Sequence, residues 1–508
     1  MTAAVFSRTR NGAALPLAKV PVVPFDSFRG ALLGELAEGR RLVAFFATPE
    51  PGAAAALWAV LADDGPGSLG VARTVLGDDG FPSLTPAAPQ AHLFEREMAE
   101  QLGLKPQGHP WLKPVRYRPS WRAGHDAWGR KEGEPILPAV GDFFRVEGDE
   151  VHEVAVGPVH AGVIEPGHFR FQCHGERVFH LEIALGFQHR GVEESLLGGP
   201  HRQTVSRIET LAGDTTIGHA TAFAQALEAL SGTSVPPRAQ AIRGIALELE
   251  RLANHAGDLG ALAGDVGFLP TASFCGRLRG DFLNMTALLC GNRFGRGLVR
   301  AGGTLVDLDE ALVAELGRRL EETMKDLRGA AELLFGAATV LARFEGTGRV
   351  DPATAESLGL VGPAARACGI DQDVRRDHPT GIYRFTHVPV MTAHDGDVNA
   401  RAFVRWLEAQ RSYDFVRAQL ASLPKGGVRN APKDLRPEHV AVSLVEGWRG
   451  EIAHVAVTGA DGRFARYKVV DPSFHNWMGL AMALRNEEIS DFPLCNKSFN
   501  LSYCGHDL

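Results

Sequence analysis

Three long amphipathic stripes constrain this chain more than any other feature. In residues 237–256, Ile242, Ile245, Leu249, Leu252 and Ala256 recur at i, i+3 and i+4 spacing, while Arg243, Glu250 and Arg251 fall off that stripe. Pro237 suits a first helical turn, where its missing N–H would have no partner anyway. Residues 307–328 repeat the pattern with Leu308, Leu312, Leu316, Leu320, Met324 and Leu327, and Asp307 with Glu310 resembles a capping box. A third helix is predicted over about 397–422, stopped by Pro424 and the Gly426–Gly427 pair. Stripes of this length must bury against one another, which predicts a helical bundle.

Sheet signals flank that bundle. Residues 42–48 and 52–63 read as strands between Pro and Gly turns, and Phe28, Leu32, Leu33 and Leu36 share one side of a helix. Residues 1–116 therefore read as a small α+β unit. Residues 117–140 are rich in Pro, Gly and charge without a period, the composition of a linker. That stretch is longer than an ordinary connection, so it is expected to lie on a partner's surface. Residues 141–508 form the large unit: a small β-sheet at its start, helices after residue 200, and a C-terminal β-hairpin turning at Ala460, Asp461 and Gly462. The fold class is α+β, a small α+β domain followed by a large, mainly helical bundle domain.

Composition removes several functions. A net charge of -7 gives no case for nucleic-acid binding. Cys173, Cys275, Cys290, Cys368, Cys495 and Cys504 are scattered without a C-x-x-C, so no iron–sulfur or zinc-ribbon ligand set is encoded. No run of 18 apolar residues occurs, so no membrane span is expected.

Chemistry concentrates between His168 and Phe223. Two β-like runs, 168–174 and 176–185, flank a turn at Gly175 and lead into a polar loop holding His189, Arg190, Glu193 and Glu194. A helix-like segment with Arg207, Glu209, Asp214 and His219 follows. Ionisable groups set among apolar runs are costly unless paired or used. A zinc site from His168, His174, His180 and His189 is disfavoured, because the imidazoles lie across or beyond a turn with no cysteine pair to assist.

The segments GPVHAGVIEPGHFRF (157–171), HRGVEE (189–194), VPPRAQAIRGIALELERL (235–252) and VGPAARACGIDQDVRRDHP (361–379) resemble signatures of one family. It comprises the large subunit of membrane-bound NiFe hydrogenases of the formate hydrogenlyase type (group 4) and the 49 kDa, or D-type, subunit of respiratory complex I. FEREMAEQLGLKPQGHP (94–110) resembles the end of complex I's small 30 kDa, or C-type, subunit, fused ahead of the large one as in formate hydrogenlyase-type enzymes.

In those hydrogenases four cysteine thiolates hold nickel and iron. The resemblance places the four slots on Ala212, Thr215, Ser502 and Gly505. Methyl, hydroxyl, hydroxyl and hydrogen cannot replace soft thiolates, so no NiFe centre is expected. In complex I a Tyr and a His contact the quinone headgroup. The Tyr slot falls on Phe223, and His160 and His168 lie nearest the His slot, so a quinone pocket lined by these three is one expectation. Glu193 takes the position of a hydrogenase proton relay, with a pKa expected to be raised by burial. His189, Arg190, Asp214, His219, Arg375, Asp377 and His378 complete a candidate proton path or pocket lining.

The resemblance implies a subunit of a complex I-like oxidoreductase on the cytoplasmic side of a membrane. A small Fe–S subunit would supply electrons, quinone or another acceptor would receive them, and antiporter-like membrane-arm subunits would couple the reaction to ion translocation. A non-catalytic scaffold and a divergent hydrogenase remain as alternatives.

Overall fold

The computed structural model describes residues 5–131, 133–162 and 164–508. The chain opens with β1 (Ser7–Thr9), β2 (Ala13–Pro16), α1 (Phe25–Ala37), β3 (Arg41–Thr48), β4 (Ala55–Asp63) and β5 (Ser68–Leu76). These strands, without β2, form an antiparallel sheet ordered β1-β5-β4-β3. β3 and β4 are apolar almost throughout and buried on both faces. Phe28 and Leu32 of α1 are buried in their hydrophobic core and Leu33 and Leu36 pack against it, the four residues expected on that side of the helix. β6 (Gly80–Pro82), α2 (His92–Leu102) and β7 (Lys105–Gln107) follow, with β6 and β7 parallel.

The stretch after residue 116 was expected to lie on a partner. Its first part folds back onto this chain instead. Trp121 N–H donates to the Gln101 carbonyl at 2.7 Å, Arg122 pairs with Asp79 at 2.8 Å, and Trp128 Nε1 donates to the Leu112 carbonyl at 3.3 Å. A backbone amide, a guanidinium and one indole within eight residues find their partners locally.

The small sheet expected near the start of the large unit is ordered β10-β9-β8, from β8 (Val151–Val156), β9 (His168–His174) and β10 (Arg177–Ala184). Short helices α3 (Val192–Leu196) and α4 (Thr204–Ile208) lead to α5 (Thr216–Ser231), α6 (Pro237–Asp265) and α7 (Leu269–Cys290). After the two-residue strands β11 (Val299–Arg300) and β12 (Gly303–Thr304) come α8 (Glu310–Gly336), α9 (Ala338–Phe344), α10 (Pro352–Leu358), α11 (Gly362–Arg366), α12 (Val374–Asp377) and α13 (Val398–Ala421). α6 packs against α7 and α13, and α8 against α7, which is the predicted bundle. Its stripe, Ile242 to Ala256, is fully buried, but so are the off-stripe Arg243, Glu250 and Arg251. α6 is thus the central helix and not a surface one, and its charges are satisfied inside. The capping assignment on α8 also shifts. Asp309 is the N-cap, accepting from Leu312 N–H at 2.8 Å, while Asp307 pairs with Arg238 at 2.5 Å.

The expected C-terminal hairpin is β14 (Gly450–Thr458) with β15 (Phe464–Val470). It is half of a larger sheet, β15-β14-β13-β2, in which β13 is His439–Gly447 and the early strand β2 pairs antiparallel with it. One face of this sheet shares a core with the N-terminal sheet through Val440, Val442, Leu444, Val455 and Val457. α5 covers the other. The chain ends with α14 (Pro472–Ala483), α15 (Phe492–Phe499) and α16 (Tyr503–Asp507). No described helix is long and apolar enough to cross a membrane.

Candidate functional site

The segments carrying the four ligand slots meet around two charged side chains that the sequence did not point to. Arg449, in the β13–β14 turn, holds Asp214 with both guanidinium nitrogens at 2.6 and 2.8 Å. The same group donates to Thr215 Oγ1 at 3.2 Å and to the Asn500 carbonyl at 2.5 Å. It therefore ties the early slot to the segment just before the late one. Asp471 caps α14, accepting from Ser473 N–H at 2.8 Å. Its carboxylate also presses on Gly505: a β-carbon added there would lie 2.6 Å from Asp471 Cγ.

The donors present do not fit a thiolate-held metal pair. Ala212 is buried and apolar, and Ser502 Oγ is spent capping α16, accepting from Gly505 N–H at 2.9 Å. All six cysteines are free thiols. Burial pushes the Cys495 and Cys504 thiols up to about 12, the opposite of what metal binding asks. Cys504 lies beside Ser502 at 3.4 Å, whereas Cys495 packs elsewhere, against Gly348. Among the described residues no group of three or more His, Cys, Asp or Glu is arranged to hold a metal ion.

From Asp471 a chain of hydrogen bonds runs through the interior. Asp471 Oδ2 lies 3.1 Å from His219 Nε2, His219 Nδ1 lies 3.1 Å from His454 Nε2, and His454 Nδ1 lies 2.8 Å from the Tyr467 hydroxyl. None of the four side chains is more than 1 % exposed. An ionised Asp471 sets the direction of the whole chain. It accepts from His219 Nε2–H, so His219 Nδ1 accepts from His454 Nε2–H, and His454 Nδ1 accepts from the phenol. Burial works against the Asp471 charge, but the hydrogen bond from His219, with Arg449, holds its carboxyl below the ordinary range. Burial keeps His454 neutral and the Tyr467 phenol protonated.

Glu250 of α6 borders this region. Its two oxygens accept from Ile217 and Gly218 N–H at 2.7 and 3.2 Å, capping α5 from outside the helix. Burial pushes its carboxyl up to about 8, with Asp214 adding to the rise against those two hydrogen bonds.

Glu193 was expected to have a raised pKa. It is held well below the usual carboxylate range. Burial alone would raise it, but Lys468 and Arg466 at 2.9 Å each, with Arg116 close by, outweigh burial. Lys468 also reaches Glu97 at 2.7 Å, and Arg116 reaches Glu97 at 2.5 Å. These five buried charges join α2 and the segment after it to β15 and α3, across the seam between the small and large units.

The other candidates are distributed. Asp214 and His219 border the ligand slots. His189 Nδ1 contacts the Asp507 carbonyl at 2.7 Å, and Arg190 donates to the carbonyls of Thr210 and Leu211 at 2.7 and 2.9 Å. Arg375 belongs to a separate buried network, pairing with Asp373 at 2.6 Å and Glu248 at 3.1 Å. Asp377 pairs with Arg376 at 2.6 Å, and His378 with Asp64 at 2.9 Å. The three residues expected to line a quinone pocket fall into two places. Phe223 packs on Tyr467, ring centroids 5.9 Å apart, in a cluster beside the C-terminal sheet. His160 sits near Phe169 and Tyr503, and His168 near Phe143. Of the four imidazoles weighed for zinc, His174 pairs with Glu150, His180 lies against Phe144 and His189 contacts the Asp507 carbonyl.

Reasoning from sequence missed Arg449, Asp471, His454, Tyr467 and Glu250. Only Asp471 carried a local signal, an acidic residue directly before Pro472 and Ser473 at a helix start.

The family model for the respiratory-chain NADH dehydrogenase 49 kDa subunit matches residues 265–439, and that for the 30 kDa subunit matches residues 67–132. The carbon monoxide-induced hydrogenase of Rhodospirillum rubrum is 31% identical over 353 residues, 69% of this chain and 97% of that protein. The D-type NADH-quinone oxidoreductase subunit of Dehalococcoides mccartyi is 30% identical over 341 residues, 66% of this chain and 92% of that protein. Formate hydrogenlyase subunit 5 of Escherichia coli is 29% identical over 434 residues, 83% of this chain and 76% of that protein.

Proposed function

The chain belongs to the family that unites D-type (49 kDa) complex I subunits with the large subunits of membrane-bound hydrogenases, and from that premise we propose that it works as an oxidoreductase subunit without a NiFe centre. Residues 1–116 act as the fused 30 kDa-type unit, 117–140 as its connection, and 141–508 as the large unit. The assembly is membrane-associated and complex I-like. A small Fe–S subunit delivers electrons, quinone or another acceptor takes them up, and membrane-arm subunits translocate ions. This chain sits peripherally, held by its partners.

The observation that carries the reading is the carboxylate of Asp471 beside Gly505, where a fourth thiolate would need its β-carbon. In place of a metal site the chain holds a proton conductor. Tyr467 donates to His454, His454 to His219 and His219 to Asp471, an aligned array along which a proton supplied at the Tyr467 end would be relayed to Asp471. The His219 hydrogen bond and Arg449 hold Asp471 ionised, which keeps the array aligned in one direction. Glu193 has a positioning role, binding the small unit to the large one.

The test is purification of the native assembly, with subunit identification and nickel and iron analysis of each subunit. A co-purifying subunit with a Cys-ligated cluster, and no stoichiometric nickel in this chain, is the expected result. Nickel and iron bound to this chain in equal amounts would refute the reading.

A further inference from the structure

A cavity of about 660 Å³ lies between the small unit and the β9–β10 hairpin, apart from the polar chain described above. α2 and the segment around Trp111 form one wall, β10 another, and α14 closes it with Trp477, Met478 and Ala481. The volume falls within the range of small-molecule sites, roughly 300–1,000 Å³. Most of the lining is apolar or aromatic, so the few polar groups and their charge decide what can enter.

Two lining residues carry charge, and they differ. Glu182 is neutralised, taking Lys113 at 2.5 Å, Trp111 Nε1 at 3.2 Å and Phe144 N–H at 2.9 Å. Arg96 is not. Its Nε and Nη2 donate to the carbonyls of Lys113 and Pro114 at 2.9 Å each, which fixes the side chain and leaves its charge unopposed. Among the described residues no carboxylate forms an ion pair with it, and Nη1 has no hydrogen-bond partner. Burial pulls its guanidinium below the ordinary range. Against the same burial, Glu97 raises Arg116 and Asp214 raises Arg449. An unpaired cation in an apolar wall is costly, and an anion bound beside it offsets that cost.

The uncharged polar groups do not reverse this balance. Trp477 Nε1 is buried without a partner and can only donate. Thr85 Oγ1 is spent on Glu95 at 2.6 Å, and His109 on the His92 carbonyl at 3.2 Å and Trp111 N–H at 3.0 Å. His506 donates from Nδ1 to Asp507 at 2.9 Å. Burial keeps His92, His180 and His506 neutral. His92 stands one turn before Arg96 on α2, so the two share a face. Its ring has no protein partner among the described residues and offers a second donor beside the guanidinium.

We propose that this cavity binds a monoanionic amphiphile, a carboxylate on an apolar, ring-bearing body, its carboxylate on Arg96 Nη1 and His92 and its rings against Trp477 and Met478. His506 directly follows Gly505, so an occupant touches the helix that carries the late ligand slot. Binding here does not depend on a redox role for the chain.

The test uses the full chain and three probes of one shape, titrated by calorimetry: 2-naphthoate, the neutral 2-naphthol and the cationic 2-naphthylmethylammonium. 2-Naphthoate should bind about tenfold tighter than 2-naphthol, the worth of a hydrogen bond to a charged group, and the ammonium more weakly than either. Arg96→Gln should bring 2-naphthoate down to the affinity of 2-naphthol and leave 2-naphthol unchanged, whereas Arg96→Lys should keep most of the preference. Ala481→Trp, which fills the cavity, should abolish binding of all three. 2-Naphthoate binding no tighter than 2-naphthol overturns the proposal. So does an undiminished preference in folded Arg96→Gln, or unchanged 2-naphthoate affinity in folded Ala481→Trp. Where the variants do not fold, the ranking of the three probes on the unaltered chain decides alone.

Discussion

Gly505→Ala is the sharpest probe of the claim that a carboxylate has taken the place of a ligand. The new β-carbon would sit 2.6 Å from Asp471 Cγ and 2.7 Å from Oδ2. Asp471 cannot swing aside cheaply, because His219 at 3.1 Å and Ser473 N–H at 2.8 Å both hold it. Overpacking of this kind costs about 1–3 kcal/mol. Gly505 lies within α16, where Ala is intrinsically better than Gly by roughly 0.5–1 kcal/mol. The two effects separate in a double-mutant cycle. In the Asp471→Ala background the clash is gone, and Gly505→Ala should become neutral or stabilising. A coupling of about 1–3 kcal/mol between the sites is therefore expected. Urea unfolding reads it as shifts in midpoint at constant slope. If Gly505→Ala costs the same with and without the Asp471 carboxylate, the steric reasoning is wrong.

Other outcomes follow from the same geometry. The Glu250 carboxyl is raised from 4.5 to about 8, so its contribution to stability is complete below pH 4.5 and is lost as pH rises towards 8. Glu250→Gln should flatten that part of the stability–pH curve, measured by urea unfolding at several pH values; an unchanged slope would contradict the assignment. Lys468→Met leaves two buried carboxylates short of a partner and should destabilise by about 3–5 kcal/mol in chemical denaturation, more than the removal of an exposed lysine would. Tyr467→Phe removes the hydroxyl at the start of the proton chain. It should lower kcat of the native assembly while KM and the melting temperature change little, and equal turnover would favour scaffolding over proton transfer. Asp309→Ala should cost about 1 kcal/mol through loss of the α8 cap, read from the unfolding midpoint.

The bundle and the first sheet were legible because their signals are local and periodic. Ile242 to Ala256 declared a helix, and His168–His174 with Arg177–Ala184 declared a hairpin. What periodicity could not reveal was that α6 is buried on all sides. A stripe rule assigns Arg251 to solvent, whereas the fold surrounds it with Glu248, Glu408 and two strand carbonyls. The C-terminal sheet was half seen: β2 is only four residues long, too short to show alternation, and the nine-residue β13 was overlooked although its run of Val, Ala and Leu reads as a strand. The ligand slots were located by motif, since cysteine spacing is a linear property. The groups that occupy the space beside them were not. Arg449 stands in a tight turn and Asp471 at a helix cap, positions where Arg and Asp are commonplace. The Glu193 pKa ran the wrong way because its neighbours Lys468 and Arg466 come from the far end of the sequence.

The pairing of β2 with β13 sets residue 16 beside residue 439. Closure over so long a loop is slow, and it cannot begin until the distal strands have emerged from the ribosome. Between that emergence and the docking of β2, the apolar edge of β13 stands open to other chains. Early helical collapse and late edge sealing are thus distinct events in maturation, and aggregation is most threatening in the interval between them. Deleting residues 5–16 should for that reason reduce soluble yield far more than it reduces helix content.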